Sequence, residues 1–226
     1  MEIQSLVLHT NDIQEMKKFY LDLLQFPLVN EDKDSFCIKV GTSQLVFTSK
    51  NVKGNPYYHF AFNIPSNQFS EAKAWVKERV ELSLEDGSDE VYFENFLAHA
   101  LYFYDPAGNI VEFIARGSIP VEATEPFSSA SIINISEIGL TVDDAIRVGS
   151  ELIDNGIPIR DNRPLSTTSL NFMGENANGI FIILNQPGRR WIFSDKLSAV
   201  FPIEIKTGTD VSILVNSDSE VEVYKN

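Results

Sequence analysis

A strand-then-helix pattern that occurs three times constrains this chain more than any other feature, because a repeat that cannot bury its apolar face alone must fold against its copies. The first copy opens Ser5-Leu6-Val7-Leu8-His9-Thr10-Asn11-Asp12-Ile13, and the third opens Glu137-Ile138-Gly139-Leu140-Thr141-Val142-Asp143-Asp144-Ala145. Each is a short strand running into a helix start with Asp near the cap, where a carboxylate accepts the free first-turn N–H groups. The middle copy opens His59-Phe60-Ala61-Phe62-Asn63-Ile64-Pro65, and its helix begins later, near Ser70 and Glu71.

Helical periodicity follows in every copy. Ile13, Met16, Phe19, Tyr20 and Leu23 share a face of the first helix; Ala72, Trp75, Val76 and Val80 do so in the second, and Ala145, Val148, Leu152 and Ile153 in the third. Such stripes pack against a sheet. Strand-like runs come next, near 28–29, 36–40 and 44–48 in copy one. In copy two they lie near 80–84, 100–104 and 110–115, and in copy three near 157–159, 169–173 and 180–184. The unit is therefore β-α-β-β-β and the class α+β. A Pro- and Ser-rich linker is expected over 118–131, and strand-like runs at 203–205 and 212–215 follow the third copy without assigned partners.

Composition narrows the partners. The 226 residues carry 18 Lys and Arg against 32 Asp and Glu, a formal charge of −14, which repels nucleic-acid phosphates and anionic lipid. No apolar run long enough to span a bilayer occurs, and no signal peptide is visible at Met1-Glu2-Ile3-Gln4. The single cysteine, Cys37, alternates with Phe36 and Ile38 and reads as a buried small hydrophobe; one cysteine fits a reducing cytoplasm. A small-molecule ligand remains the expected partner.

The segment Leu101-Tyr102-Phe103-Tyr104-Asp105-Pro106-Ala107-Gly108-Asn109-Ile110-Val111-Glu112-Phe113 resembles the YF-x-DP-x-GN-x-x-E-x signature of the vicinal oxygen chelate superfamily. That superfamily includes glyoxalase I, bleomycin-resistance proteins, extradiol dioxygenases and fosfomycin-resistance enzymes. The resemblance is good over 1–117 and topological over 132–185. It implies that two modules pair into a half-open barrel, here expected to be copies one and two within 1–117. The third, degenerate module would occupy 132–226, capping the first two or pairing with its counterpart in a homodimer.

In the family a metal is held by the first and last strands of each paired module. Carried onto this chain, the resemblance implies His59 and Glu112 as metal ligands, with Ser5 and Val46 at the other two positions. Ser is a poor ligand for a divalent ion. Zn, Mn, Fe, Co or Ni would suit the site, and a metal-free pocket is the alternative. The third copy carries Glu137 where copy one has Ser5, and Ile182 where copy two has Glu112, and on that account is expected to lack the chemistry.

Strand alternation supplies the rest of the lining. Ser5, Val7 and His9 should share a face, as should His59, Ala61 and Asn63, then Ile110, Glu112 and Ile114, and finally Ala100 and Tyr102. His9 stands about 13 Å along the strand from Ser5, too far to replace it as a ligand, and reads as a pocket wall or a hydrogen-bonder to substrate. The expected substrate-binding set is thus Ser5, His9, Asn63 and Tyr102, and the expected catalytic pair is Glu112 and Tyr102. An inward carboxylate such as Glu112 needs a metal, a His partner or water, so a metal-free His59–Glu112 pair competes with a metal site. His99 falls on the opposite parity from Tyr102 and reads as packing or surface. The Arg189-Arg190-Trp191 triplet reads as a solvated turn, or else as a clamp on a carboxylate.

Two functions stay open at this level. One is a metal-dependent enzyme of lyase, isomerase or dioxygenase type acting on a small oxygenated substrate. The other is a metal-free protein that binds or sequesters a small molecule, in the manner of bleomycin resistance.

Overall fold

The computed structural model describes residues 1–119 and 121–225. Copy one comprises β1 (Ile3–His9), α1 (Ile13–Lys17) passing into a π-helical turn over Lys18–Leu23, β2 (Leu28–Glu31), β3 (Ser35–Val40) and β4 (Ser43–Thr48). Copy two comprises β5 (His59–Ile64), α2 (Phe69–Lys77), β6 (Val91–Phe93), β7 (Ala98–Tyr104) and β8 (Ile110–Arg116). Copy three comprises β9 (Asn134–Thr141), α3 (Ala145–Asp154), β10 (Asn171–Met173) and β11 (Phe181–Asn185). The tail forms β12 (Ile203–Thr207), β13 (Val211–Val215) and β14 (Val221–Lys225).

Local chemistry accounts for the helix starts. Asp12 accepts the Glu15 N–H at 3.0 Å, and Asp144 accepts the Arg147 N–H at 2.9 Å, as the cap pattern requires. Two expected strands shrink to single bridges, Leu82 to Phe103 and Ile159 to Met173. The first strand after α2 forms instead at Val91–Phe93.

The described strands make two seven-stranded sheets, ordered β14-β13-β12-β1-β4-β3-β2 and β10-β11-β9-β5-β8-β7-β6. The pairing between copies differs from the expectation. β5 runs antiparallel to β9, Phe60 opposite Ile138 and Ala61 opposite Glu137, so copies two and three share one curled sheet. Copy one is completed by the tail, because β12 pairs antiparallel with β1 from Ile3–Thr207 to Leu8–Ile203. The segment 118–131 therefore does not separate two sheets: β8 before it and β9 after it lie in one sheet, on either side of β5.

One face of each sheet and the three helical stripes enclose a common core. Leu6, Leu8 and Phe47 from one sheet, Phe60, Phe62 and Ile138 from the other, and Met16, Val76 and Val148 from the helices all belong to it. The sheets are tied at one end. Ser43 donates to the Ile3 carbonyl at 2.6 Å and accepts the Ile135 N–H at 3.1 Å. Beside it Gly41, at φ +57°, lies so close to the Ile133 carbonyl that a Cβ would sit 1.9 Å from that oxygen. Among the described residues no helix is long and apolar enough to cross a membrane.

Candidate metal centre

The period-two alternation of β5 turns Phe60 and Phe62 into the core and leaves His59, Ala61 and Asn63 on the opposite face. Register then brings the acids together. Ala61 is opposite Glu112 of β8 on one side and Glu137 of β9 on the other, and Tyr102 of β7 is opposite Glu112. A methyl group is all that stands between the two carboxylates along this row.

The Asp105-Pro106-Ala107-Gly108-Asn109 loop aligns β5 with β8. Asp105 accepts hydrogen bonds from the Ala107 and Asn109 N–H groups, both at 3.0 Å, from Asn109 Nδ2 at 2.7 Å and from Tyr20 Oη at 2.9 Å. The Asn109 Oδ1 accepts the Tyr58 N–H at 2.8 Å, and the Ile110 N–H donates to the Tyr58 carbonyl at 2.8 Å. The motif thus sets the height of His59 relative to Glu112 without touching either acid.

His59 Nδ1 lies 3.1 Å from the Ile110 carbonyl. A carbonyl only accepts, so Nδ1 carries the ring proton and Nε2 offers its lone pair, 3.5 Å from Glu112 Oε2. Glu137 completes the cluster: one ligand atom from each of the three residues lies within 4.8 Å of the others. All three are buried, at 4%, 2% and 5% exposure for His59, Glu112 and Glu137.

Charge in this centre does not balance. Glu137 pairs with the buried Arg116 guanidinium, which also donates to Ser136 Oγ at 3.2 Å. Burial pushes the His59 imidazole below its usual range even with Glu137 close by, so the ring is neutral. Two carboxylates and one guanidinium then leave one uncompensated negative charge out of water, which demands a proton or a cation. The same strain shows in Glu112, held well above the usual carboxylate range by burial and then by the charge of Glu137. Tyr102, opposite Glu112 on the neighbouring strand, is held well above the usual phenol range by burial and then by the charge of Glu112.

Above the cluster lies a cavity of about 210 Å³ walled by Phe93, Phe96, Tyr102, Phe172, Ile183 and Trp191 among others. The strap over residues 186–202 closes it. The Trp191 ring sits 4.9 Å from the His59 ring, and Phe193 stacks on Tyr102 at 4.6 Å and 10°. Gly139 makes room, since a Cβ there would lie 2.8 Å from the Trp191 ring. Arg190 pins the strap by pairing with Glu85, which also accepts the Phe193 N–H at 2.9 Å.

The structure brings His59, Glu112 and Tyr102 together. Asn63 shares their face, but its amide donates to Asn134 Oδ1 at 2.8 Å and to the Gly179 carbonyl at 3.3 Å, away from the cavity wall. Ser5 and His9 require a correction. They lie half-buried on β1 in the other sheet and do not line this cavity, because copy three, not copy one, partners copy two. Copy three also retains more chemistry than expected: Glu137 joins the cluster, and Ile183 rather than Ile182 faces the cavity, with Ile182 in the core. The signal for Glu137 was the one used for Glu112, an acid at an inward strand position. Arg116, two residues beyond Ile114 on the same strand face, was readable by the same parity. His99 is exposed, against Phe69 and Tyr92, and Cys37 is buried. Arg190 and Trp191 belong to the strap rather than to a free turn.

The curled sheet shared by copies two and three, with acids and a histidine on its concave face, is similar to known proteins at the level of fold. Residues 135–189 match the family described as toxoflavin-degrading enzyme. A structure from Bacillus subtilis, described provisionally as a dioxygenase, is 15% identical over 81% of this chain and 63% of its own, with a TM-score of 0.55. Lactoylglutathione lyase from Agrobacterium tumefaciens is 20% identical over 50% of this chain and 91% of its own, with a TM-score of 0.42. A glyoxalase/bleomycin resistance protein/dioxygenase from Alicyclobacillus acidocaldarius is 18% identical over 51% and 92%, with a TM-score of 0.38. No curated protein matches this chain. The chain has the fold of the vicinal oxygen chelate superfamily.

Proposed function

We propose that His59, Glu112 and Glu137 hold a divalent cation, and that the aromatic cavity above them takes a small, flat, oxygen-bearing molecule on which the protein acts as an enzyme of lyase, isomerase or dioxygenase type. The observation that carries this reading is the buried His-Glu-Glu cluster, whose two carboxyl groups share a single guanidinium. The donor set fits the group: one imidazole nitrogen and two carboxylates suit Zn, Mn, Fe, Co or Ni. Three protein ligands with an apolar residue, Ile183, at the fourth position leave room for substrate oxygens.

A cation held there supplies Lewis-acid stabilisation of negative charge on a substrate oxygen. The chain's own residues do the rest. Ile110 orients His59 through Nδ1, and Arg116 keeps one Glu137 oxygen in place. Glu112, whose carboxyl is held well above the usual carboxylate range by burial, is placed to take and return a proton, with Tyr102 as a neutral donor beside it. Phe96, Phe172 and Trp191 exclude water and hold a flat body by stacking. The match of copy three to a family described as an enzyme supports catalysis over sequestration.

The alternative, a metal-free binder, draws on Arg116, which already neutralises one of the two acids. Elemental analysis after chelator-free purification separates the two. About one divalent ion per chain is expected, lost in both His59→Ala and Glu112→Ala. Absence of affinity for each of the five ions at micromolar concentration would sink the enzyme reading.

A further inference from the structure

The chain is strongly acidic, yet five of its seven arginines, Arg116, Arg160, Arg163, Arg189 and Arg190, gather around the candidate site. Two of them have clear structural duties: Arg116 pairs with Glu137, and Arg190 with Glu85. Of the other three, Arg160 donates to the Asn95 carbonyl at 3.3 Å and pairs only with its sequence neighbour Asp161, and none meets an acid from another part of the chain among the described residues. Arg160 and Arg163 line a second cavity, about 360 Å³, that shares the walls Phe96, Leu170 and Phe172 with the His59 cavity, where Arg189 stands on the rim.

Arg160 lies flat against these shared walls, its guanidinium 4.0 Å from the Phe96 ring centroid and 5.9 Å from that of Phe172. Its side chain is 14% exposed, and its one acidic neighbour is the exposed Asp161, 3.1 Å from Nε. Asp161 in turn accepts from Asn176 Nδ2 at 2.9 Å. Arg163 lines the same cavity and meets no acid among the described residues. Arg189, on the rim of the His59 cavity, also meets none there, and its guanidinium reaches the Thr168 carbonyl at 3.3 Å. No Asp or Glu lines the second cavity, and its remaining polar groups include the side chains of Ser166, Ser169 and Asn171. In a chain with fourteen excess negative charges, Arg163 with no acid beside it and Arg160 with only the exposed Asp161, on a cavity lined by no acid, select an anion.

We propose that the Arg160–Arg163 cavity is an anion subsite that takes the carboxylate or phosphate group of the same ligand whose flat body lies in the aromatic cavity. The substrate class is thereby an aromatic or similarly flat oxyanion rather than a neutral ring. This rests on the reading that the His59 cavity binds a small flat molecule. The guanidinium forks grip two oxygens at once, and Phe96 and Phe172 form the shared wall on which the body of the ligand stacks.

The test uses the full chain and three probes of one shape: 2-naphthoate, 2-naphthyl phosphate and the neutral 2-naphthamide, titrated calorimetrically at low ionic strength. At least one anion is expected to bind about 10-fold more tightly than the amide. Arg163→Gln, at an exposed position, should remove most of that preference, and Arg163→Glu should abolish anion binding, with amide affinity and melting temperature unchanged in both. Which anion is preferred distinguishes a carboxylate from a phosphate ligand. Equal affinity for all three probes, no binding of either anion up to millimolar concentration, or an anion preference unchanged in Arg163→Gln would each overturn the proposal. The metal reading fails separately: protein without divalent affinity that still prefers the anion keeps this subsite, and metal-loaded protein with no anion preference loses it.

Discussion

His59 Nε2 faces Glu112 Oε2 across 3.5 Å, while Nδ1 of the same ring is already bound to the Ile110 carbonyl. The ring nitrogen that meets the acid is therefore the one without a proton. A neutral imidazole lone pair opposed to a carboxylate is repulsive unless something positive lies between them. In the chain alone that is a proton on Glu112; in the proposed holoprotein it is the cation.

Loading the centre should expel that proton. Because burial and the charge of Glu137 raise the Glu112 carboxyl well above its ordinary value, proton and cation compete for it. Cation affinity is expected to rise with pH up to the raised Glu112 value, with release of up to about one proton per ion below it. Calorimetric titration in two buffers of different ionisation enthalpy measures the release directly. A pH-independent affinity with no release would show that Glu112 is not a ligand.

Arg116 is expected to stabilise the cation-free protein and to weaken cation binding. Arg116→Met leaves Glu137 buried and unpaired, which should cost about 3–5 kcal/mol of stability in denaturant unfolding. Added divalent ion should restore part of that loss, and more in the variant than in the parent chain. Equal stabilisation of the two proteins by the ion would contradict the shared use of Glu137.

Gly139 holds the strap in place by lacking a side chain. Gly139→Ala puts a methyl group 2.8 Å from the Trp191 ring, so the tryptophan must move. A destabilisation of about 1–3 kcal/mol is expected, together with a red shift in tryptophan emission. Trp75→Phe in the same background assigns that signal to Trp191. Unchanged emission would mean that the strap does not pack as described.

Asp105 acts on the fold rather than on the chemistry. Asp105→Ala orphans four donors and should cost roughly 3–5 kcal/mol. Burial raises its carboxyl from the usual 3.8 to about 6 in the folded protein. The native state then binds this proton more tightly than the unfolded chain. Its contribution to stability is full below the unfolded value and is lost as pH rises through about 6. Urea unfolding between those limits should show that slope in the parent chain and lose it in Asp105→Asn.

Local backbone geometry made much of this protein readable in advance. Alternation along a strand is a property of the chain itself, so His59, Ala61, Glu112, Ile114 and Tyr102 could be placed on one face from their numbers alone. The Asp12 and Asp144 caps, the helical stripes and the Asp105–Asn109 loop are equally local, because each depends on residues a few positions apart. Which copy lies beside which is not local. β1, β5 and β9 are all short apolar strands with an open edge, and nothing in their own residues prefers one pairing. The choice was made by the tail: β12 takes the edge of β1, β5 pairs with β9, and Ser5 and His9 go to one sheet while Glu137 goes to the other. Pairing energy accrues only after long loops have closed and the competing edges are filled. The sequence alone determined the faces of the strands; the tertiary structure decided that the third carboxylate would come from copy three, with Arg116 and Trp191 brought in around it.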